Sequence, residues 1–292
     1  MKKANSETYY VLALKTSAYL SIALLIMFFL TLFFQAFPSI TKLSFSFYTN
    51  SIWNPLIEEF GSLAFLFGTL STSVLAVIIA LPVSLSLAIM LGFFLKRGPL
   101  FNIFSVTLEL LAGIPSVIYG FWALFILVPL VRQLAMVFNA PPFGVSILAA
   151  SLILSVMIIP YAASFGREII KMVPKELSEA AISLGATKFE VIRHVILPYS
   201  KSGIFSGFLL AFSRAIGETM AVTMVVGNAN RLAFSLFEPG NTIASLIANE
   251  FAEATSDFYI SALMQLGLLL LVVTTSINLI GQWIINKWKI TK

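Results

Sequence analysis

The 292-residue chain contains no cysteine, a single histidine (His194) and only 11% charged residues. Without cysteine it has no disulfides, thiolate nucleophiles or thiolate metal sites. One histidine cannot build a histidine-based metal site alone, so we expect no metal or other cofactor. The Walker A, His-Glu-x-x-His and Gly-x-Ser-x-Gly patterns are also missing. These absences argue against an ATPase, zinc protease or serine hydrolase, and predict a chain that is not itself an enzyme.

What the chain has in abundance is apolar residues. They make up 59% of the sequence, and the mean hydropathy is +0.97. A soluble core of this size does not need that much apolar surface, so the composition predicts an all-α, polytopic membrane protein surrounded by lipid. A pI of about 9.4 suggests nucleic acid in a soluble chain. Here membrane topology explains the basic residues, and no nucleic-acid partner is expected.

Six apolar runs reach the roughly 20 residues that cross a hydrocarbon core. They cover residues 16–41, 60–95, 98–131, 133–166, 202–230 and 258–286. The second run is longer than one span needs, so its start near Gly61 is expected along the interface and Pro82 is expected to kink it. We predict a single transmembrane domain over 1–292, with a first helix at about 11–41 and a five-helix core at about 60–290.

The basic residues predict the orientation of these spans. Fourteen of the 18 fall on one side: Lys2, Lys3, Lys15, Lys96, Arg97, Arg167, Lys171, Lys175, Lys188, Arg193, Lys201, Lys287, Lys289 and Lys292. Lys42, Arg132 and Arg231 fall on the other side, and Arg214 lies within a span. This bias places both termini in the cytoplasm. The alternative of a cleaved signal peptide is disfavoured, because the run after Lys15 is too long and lacks a clear cleavage site.

Two charges, Arg214 and Glu218, interrupt the fifth apolar run. A charge at bilayer depth costs at least about 2.5–3.5 kcal/mol, so charged residues there usually have a function. The i, i+4 spacing predicts that both project from one helix face and pair. Either they line a polar path for an anion, or they form a structural pair that holds helices together.

The loop at about 167–200 has signals for two short helices around a turn. Pro174 suits a first helical position, and Gly185 suits the left-handed residue that ends the first helix. Thr187 and Glu190 have capping-box spacing for the second helix, and Pro198 is expected to follow its end. An apolar stripe lies at helical spacing on residues Leu177, Ala181 and Leu184. The loop is either an amphipathic segment resting on lipid headgroups or a dock for another protein.

The spacing of this loop resembles the EAA loop of ABC-importer permeases. The positions that carry the resemblance are Glu179, Ala180, Ala181, Gly185, Val195, Leu197 and Pro198, and they depart from the family only in Val195, where isoleucine is commoner. The resemblance covers most of the chain after residue 60 and implies coupling helices that dock into an ATPase subunit. The first span is then the extra helix that many such permeases carry, and His194 is a polar residue on a coupling helix.

Two further segments, 109–121 and 214–228, are similar to phosphate-specific permeases of the PstC type rather than the PstA type. This resemblance implies a heterodimer with a PstA-like permease, two PstB-like ATPase subunits and a periplasmic PstS-like phosphate-binding protein. It also implies the bacterial cytoplasmic (inner) membrane. The ATPase site is then in a partner, and this chain supplies half of the pathway.

The residue chemistry of the second segment fits such a role. A guanidinium at Arg214 offers a planar set of donors that matches phosphate oxygens, and Glu218 would lower the cost of holding that charge. Hydroxyls of Ser213, Thr219 and Thr223 are candidate donors, although such hydroxyls often bond only their own backbone.

The first segment contains Glu109, which is expected to pair with Arg214 or to lie at the cytoplasmic interface near Lys96 and Arg97. We favour the interface or a structural pair, because an extra anion near a phosphate path is repulsive. The third span contains Gly113, Pro115 and Gly120. These residues predict either a break in its helix or close packing against a neighbouring helix.

Two other interpretations stay open on the sequence alone. A stand-alone secondary anion transporter or channel could use the same Arg–Glu pair, although it would not need a dock for an ATPase. An ABC permease could also carry molybdate, sulfate or another oxyanion in place of phosphate.

Overall fold

The computed structural model describes residues 2–288, and side chains from residue 9 to residue 288. Lys289 and Lys292, which the charge pattern places with the C-terminus, lie outside the described residues. Within that range six helices are long and apolar enough to cross a membrane, as expected. They are Tyr9–Leu43, Leu63–Phe94, Ser116–Val137, Ile147–Lys171, Lys188–Gly217 and Asp257–Trp288. The expected all-α membrane fold is confirmed.

The helices are numbered in chain order. They are α1 (Lys2–Leu43), α2 (Ser46–Thr49), α3 (Leu63–Ile89), α4 (Pro99–Gly113), α5 (Ser116–Trp122), α6 (Val128–Val137), α7 (Ile147–Lys171), α8 (Lys175–Ser183), α9 (Lys188–Val191), α10 (Leu197–Gly217), α11 (Met220–Val225), α12 (Ile243–Glu250) and α13 (Asp257–Trp288). Three π-helical stretches extend or join them, at Met90–Phe94, Ala123–Leu127 and Ile192–Ile196. Strands β1 (Trp53–Asn54) and β2 (Glu59–Phe60) form a short antiparallel pair.

Helix α7 lies at the centre of the bundle and packs against α3, α4 and α10. Small residues allow the close approach of its neighbours. A Cβ added at Gly166 of α7 would lie 2.9 Å from Ala88 Cβ, and one added at Gly92 would lie 2.7 Å from a methyl of Ile170. These contacts fix α3 and α7 side by side, with α10 on another face of α7.

Helix α1 packs along α13 and exposes most of its apolar surface, as expected of a helix surrounded by lipid. Buried polar contacts with α13 lie near its end, where Ser39 Oγ donates to Gln265 Oε1 at 2.7 Å and the Ser39 backbone N–H donates to Ser261 Oγ at 3.0 Å. These bonds give the first helix a defined register on α13.

The predicted boundaries of two spans need correction. The second helix begins at Leu63, after Gly61, and continues through Pro82 without interruption. The fourth span begins at Ile147 rather than at residue 133. Residues 133–137 belong to α6, which ends before Pro141 and Pro142, because prolines have no N–H to continue a helix.

The third predicted span, 98–131, is not one helix. It consists of α4 and of a second helix, α5–α6, that extends through a π-helical turn to Val137. The break lies at Ile114 and Pro115, both in extended backbone conformations. The residue before a proline is disfavoured in the helical region, so the Ile-Pro pair explains the break.

The fifth predicted span, 202–230, is also wrong in both boundaries. Its helix begins at Lys188, because Pro198 occupies the first turn of α10 after a π-helical turn instead of ending a short helix. The same helix ends at Gly217, and Glu218 is extended with φ −69° and ψ 127°. Helix α11 then begins at Met220.

The two ends of the bundle differ in charge. One end, which we call the basic end, is where α3 and α7 finish and where α4, α8 and α9 begin. There Lys201 Nζ lies 5.9 Å from the Trp288 ring and Lys171 Nζ lies 5.3 Å from the Phe101 ring. Lys96, Arg97, Lys171, Lys175 and Lys188 line a single cavity at this end.

The opposite end has more structure than the loops expected there. The β1–β2 pair rests on α12 and α13 through Glu250, whose carboxylate accepts from Trp53 Nε1 at 2.6 Å and from the Tyr259 hydroxyl. Asn230 Nδ2 also donates to Glu250, at 3.3 Å. This carboxylate therefore joins three segments that are distant in sequence.

Candidate translocation site and coupling loop

Helices α7 and α10 pack antiparallel through a repeating set of small residues. A Cβ added at Gly203 would lie 2.6 Å from Ile169, and one at Gly207 would lie 2.7 Å from Phe165. Ile169, Phe165 and Tyr161 are spaced by four residues, so they share one face of α7. Continuing this register places Ala211 opposite Tyr161, and Arg214, three residues further along α10, lies over the Tyr161 ring with its guanidinium carbon 4.2 Å from the ring centre.

The predicted pairing of Arg214 with Glu218 is wrong. Among the described residues the ion pairs join Lys42 to Glu58 and Glu168 to Arg167 and Lys171, and none includes Arg214 or Glu218. The i, i+4 argument assumes a continuous helix, and α10 ends between the two residues. Glu218 leaves the helix in an extended conformation, so the i, i+4 spacing no longer places the two side chains on one helix face.

Arg214 lies deep within the bundle's apolar length. It follows Lys201 at the basic end by 13 positions, which is about 20 Å of helix at 1.5 Å per residue, within a hydrocarbon core of about 30 Å. Its side chain is nevertheless exposed in this single chain. A guanidinium at that depth is too costly to face lipid, so this surface must be covered by protein or must line a water-filled space.

The breaks in the third and fifth spans have the same backbone geometry. Ile114 has φ −67° and ψ 128°, and Glu218 has φ −69° and ψ 127°. The helices that follow, α5 and α11, pack closely: a Cβ added at Gly120 would lie 3.1 Å from Ala221 Cα and 2.5 Å from Met224 Sδ. The expected break is confirmed in the third span, and Gly120 serves close packing rather than the break itself.

Two tyrosines donate to carbonyls in the last turn of α4, beside the break in the third span. A helix end has carbonyls without internal partners, and water is scarce at bilayer depth. The Tyr119 hydroxyl donates to Leu111 O at 2.8 Å, and the Tyr161 hydroxyl donates to Ala112 O at 2.7 Å. Tyr161 therefore touches the end of α4 with its hydroxyl and Arg214 with its ring.

The three candidate hydroxyls bond mainly to their own backbone. Ser213 Oγ lies 3.0 Å from Leu209 O, Thr219 Oγ1 lies 3.3 Å from Gly217 O, and Thr223 Oγ1 lies 2.8 Å from Thr219 O. These are the local bonds that serine and threonine often make in membrane helices. None of the three is therefore a free donor aimed at the open side.

Ser213 has a second partner across the bundle. Its Oγ lies 2.8 Å from Oδ1 of Asn278 on α13, which places another polar side chain at the depth of Arg214. Beyond α11, Asn228 accepts from Ser245 Oγ at 2.8 Å and donates to Thr223 O at 3.0 Å. A line of polar groups thus follows the fifth span from Arg214 towards the opposite end.

Glu109 does not approach Arg214. It is exposed on α4, ten residues after Pro99, and no ion pair within the described residues includes it. The suggested pair across the bundle is therefore absent.

The coupling loop forms the turn that the sequence predicts. Gly185 has φ +90°. Its N–H donates to Ile182 O at 2.9 Å, and the Ala186 N–H donates to Ala181 O at 3.0 Å, which is a Schellman end for α8. Thr187 and Glu190 form the predicted capping box, with Thr187 N–H donating to Glu190 at 2.8 Å. Pro174 caps α8 and the helix begins one residue later, at Lys175.

The apolar stripe of this loop is largely uncovered. Ala181 packs against buried residues of the π-helical turn, but Leu184 is 89% exposed and Phe189 is 67% exposed. Ala180 is also exposed, and Glu179 is exposed where it lines the cavity between α8 and the bundle. A cavity of about 830 Å³ separates α8 from the ends of α3 and α7, and its basic lining residues are Lys96, Arg97, Lys171, Lys175 and Lys188. The loop presents apolar residues outwards and is held away from the bundle by a charged cleft.

Residues 84–290 match the family described as the binding-protein-dependent transport system inner membrane component. The chain belongs to this family. The match includes the coupling loop, both helix breaks and Arg214, and it leaves α1 outside. The chain is thus a transport subunit rather than an enzyme.

Similar proteins from bacteria and an archaeon have one name in common, phosphate transport system permease protein PstC. That of Mesorhizobium japonicum is 41% identical over 273 residues, covering 88% of this chain and 83% of the relative. That of Pasteurella multocida is 42% identical over 274 residues, covering 88% and 84%. A probable PstC of Methanocaldococcus jannaschii is 36% identical over 274 residues, covering 88% and 86%.

The fold is also that of known ABC importers. A chain of the MetNI methionine ABC transporter, in an inward-facing form, aligns with a TM-score of 0.60 at 16% identity, covering 76% of this chain and 94% of that one. At that identity the likeness concerns the fold alone. The helical core of this chain therefore shares the fold of that transporter chain.

Sequence reasoning missed the aromatic and amide partners of the site. Tyr161, Tyr119 and Asn278 are polar residues within apolar runs, and that position is itself a signal. Tyrosine is common in membrane proteins, so only the contact of Tyr161 with Arg214 distinguishes it from an ordinary packing residue.

Proposed function

We propose that this chain is one of two permease subunits of an ATP-driven importer of inorganic phosphate. The observation that carries the proposal is Arg214, a guanidinium at bilayer depth that no carboxylate within the described residues neutralises and that faces the open side of the chain. A guanidinium keeps its charge when dehydrated and matches phosphate oxygens geometrically. The names of the PstC relatives point to the same substrate.

The open surface around Arg214 is proposed to face a second, PstA-like permease subunit. Leu210 and Met220 on the same stretch are exposed apolar residues, 60% and 52% respectively, and Gly217 has open space beside it. A surface with both apolar residues and one deep cation suits a subunit interface that encloses a polar path. Glu218, half-buried at the break, is proposed to lie beside this path and to weaken anion binding so that phosphate is released.

Residues 167–200 are proposed to couple the transport of phosphate to ATP hydrolysis in a partner subunit. In this account Glu179, Ala180, Ala181 and Gly185 shape a dock for a PstB-like ATPase dimer, while Leu197 and Pro198 begin the helix that leads to Arg214. The uncovered Leu184 and Phe189 give the dock its apolar contact. A single helix, Lys188–Gly217, then joins the dock to the deep arginine without an intervening loop.

The basic end is proposed to face the cytoplasm of a bacterial inner membrane, with both chain termini there. A periplasmic PstS-like phosphate-binding protein would then meet the opposite end, where Glu250 holds the short strands against α12 and α13. Residues 1–292 act as one domain, in which α1 is the extra first helix beside a five-helix core.

The experiment is uptake of radiolabelled phosphate in a bacterial strain that lacks its own phosphate permease. We expect uptake only when this chain is expressed with its partner permease, ATPase and binding protein. Uptake by this chain alone would overturn the proposal in favour of a stand-alone secondary anion transporter.

The substrate is tested in the same cells by competition. An excess of unlabelled phosphate should abolish uptake, and an excess of molybdate or sulfate should leave it largely unchanged. Stronger competition by either of those oxyanions would assign the permease to that oxyanion.

A further inference from the structure

We propose that Tyr161 is a positioning residue for Arg214, and that it fixes the guanidinium relative to the break between α4 and α5. The inference rests on the proposed function, because it concerns how the deep arginine is held on the path. Tyr161 lies on the central helix α7 and contacts both discontinuous spans at once. Its ring lies under Arg214 of α10, and its hydroxyl bonds the end of α4.

The ring contact restricts a side chain that has few other partners. Among the described residues, Arg214 makes no ion pair, and the Tyr161 ring is the aromatic surface beneath its guanidinium at 4.2 Å. A cation stacked on an aromatic face is stabilised more strongly when it is desolvated. Stacking also leaves the N–H groups at the guanidinium edge free, whereas a carboxylate partner would occupy them. Those N–H groups are the ones that an anion needs.

The hydroxyl contact fixes the ring in turn. It donates to Ala112 O at 2.7 Å, a carbonyl in the last turn of α4 next to the break at Ile114 and Pro115. The phenol therefore has one orientation, set at both ends, and the position of Arg214 follows the position of the break. A movement of α4 against α5 would shift the ring and, through it, the guanidinium.

Helix packing supports this arrangement independently of the two contacts. Gly203 and Gly207 bring α10 close to α7 in a register that places Ala211 opposite Tyr161, which leaves Arg214 less than one helical turn further along α10. Small residues at that interface let the backbones approach, and the aromatic ring fills the place where they end.

The test measures phosphate transported per ATP hydrolysed in the purified, reconstituted complex, normalised to assembled complex. Tyr161→Phe keeps the ring and loses the hydroxyl, whereas Tyr161→Leu loses both. We expect Tyr161→Phe to retain at least about half of wild-type coupling and Tyr161→Leu to fall roughly tenfold, the scale of a desolvated cation–π contact. Tyr161→Met, whose unbranched side chain reaches further than that of leucine but has no aromatic ring, should fall like the leucine variant.

Tyr119→Phe is the matched control. It removes a hydroxyl from the adjacent carbonyl of the same break, Leu111 O, and leaves the Tyr161 ring in place. We expect it to leave coupling close to wild type. An equal loss in Tyr161→Phe and Tyr161→Leu would overturn the ring's positioning role, because the hydroxyl alone would then explain the effect.

A second measurement separates this inference from the proposed role of Arg214. If the ring orients the planar guanidinium, Tyr161→Leu should cost much less in an Arg214→Lys background than in the wild-type background, because the lysine ammonium has no planar fork for the ring to orient. Additive losses would overturn the inference while leaving Arg214 on the path. Wild-type transport by Arg214→Gln would instead overturn the path itself, whatever Tyr161 does.

Discussion

Ile114 and Glu218 leave their helices with the same backbone conformation, and the helices that follow them pack against each other through Gly120. Two spans are thus interrupted in the same way at neighbouring positions. Such interruptions are tolerated in a membrane only where protein or water serves the freed backbone groups. The pair of breaks and the deep arginine between them define the candidate path in this subunit.

The contact between α5 and α11 makes Gly120 sensitive to any added side chain. Gly120→Ala would place a methyl 3.1 Å from Ala221 Cα, a backbone atom that cannot move freely. Overpacking of this kind costs about 1–3 kcal/mol, so we expect a lower thermal unfolding midpoint for the purified complex. The control is Gly267→Ala, whose methyl meets only ordinary contacts at 3.8 Å or more. Equal midpoints in the two variants would contradict the close approach of α5 and α11.

The coupling loop depends on Gly185 through its backbone, because a Cβ there meets nothing within 4 Å. At φ +90° a β-branched residue is strained, at a cost of about 1–3 kcal/mol. Gly185→Val should therefore assemble poorly with the ATPase, or should let it hydrolyse ATP without moving phosphate. Gly185→Asn, which tolerates a left-handed conformation better, should be less harmful. Wild-type uptake per assembled complex in Gly185→Val would count strongly against the dock.

Orientation can be measured by cysteine labelling, since the native chain has no cysteine and contributes no background. Leu56→Cys and Phe234→Cys replace side chains that are 94% and 84% exposed at the opposite end, and Met172→Cys replaces one that is 73% exposed at the basic end. An impermeant thiol reagent added outside should label the first two in intact cells and should reach residue 172 only after permeabilisation. The reverse pattern would overturn the proposed topology.

Much of this architecture could be predicted from the residues alone. Run lengths gave the six spans, and Gly185, Thr187 and Glu190 gave the turn of the coupling loop, because glycine conformation and capping are local. The predicted boundaries of the fourth and fifth spans were wrong, because the effect of a proline on a helix depends on the residues around it. In the fifth span, Pro198 lies in the first turn of α10, directly after the π-helical turn, instead of ending a helix. In the fourth span, the helix that contains residues 133–137 ends before Pro141 and Pro142, and α7 begins only at Ile147.

The prediction that Arg214 pairs with Glu218 was wrong for a related reason. Spacing predicts a shared face only along an unbroken helix, and α10 ends at Gly217, between the two residues. The partner that Arg214 does have, Tyr161, is 53 positions away in sequence. Only the tertiary register of α7 on α10 brings them together, so no local pattern could identify it.

The absence of a pair changes what a charge swap should do. If Arg214 and Glu218 held the helices together, the double change Arg214→Glu with Glu218→Arg would restore both assembly and uptake. With the two side chains separated by a helix end, we expect the swapped complex to remain inactive, because the cation no longer lies on the Tyr161 ring. Phosphate uptake normalised to assembled complex distinguishes the two outcomes, and full recovery would contradict the separation.

The central claim is that Arg214 assists phosphate through the membrane. Its most direct test is phosphate uptake, again normalised to assembled complex, in Arg214→Gln and Arg214→Lys. Lysine keeps the charge but not the planar fork, so Arg214→Lys should transport at a reduced rate. Arg214→Gln should lose at least about tenfold, the scale of a charged hydrogen-bond partner removed from a site of low polarity. Wild-type uptake by Arg214→Gln would contradict the claim.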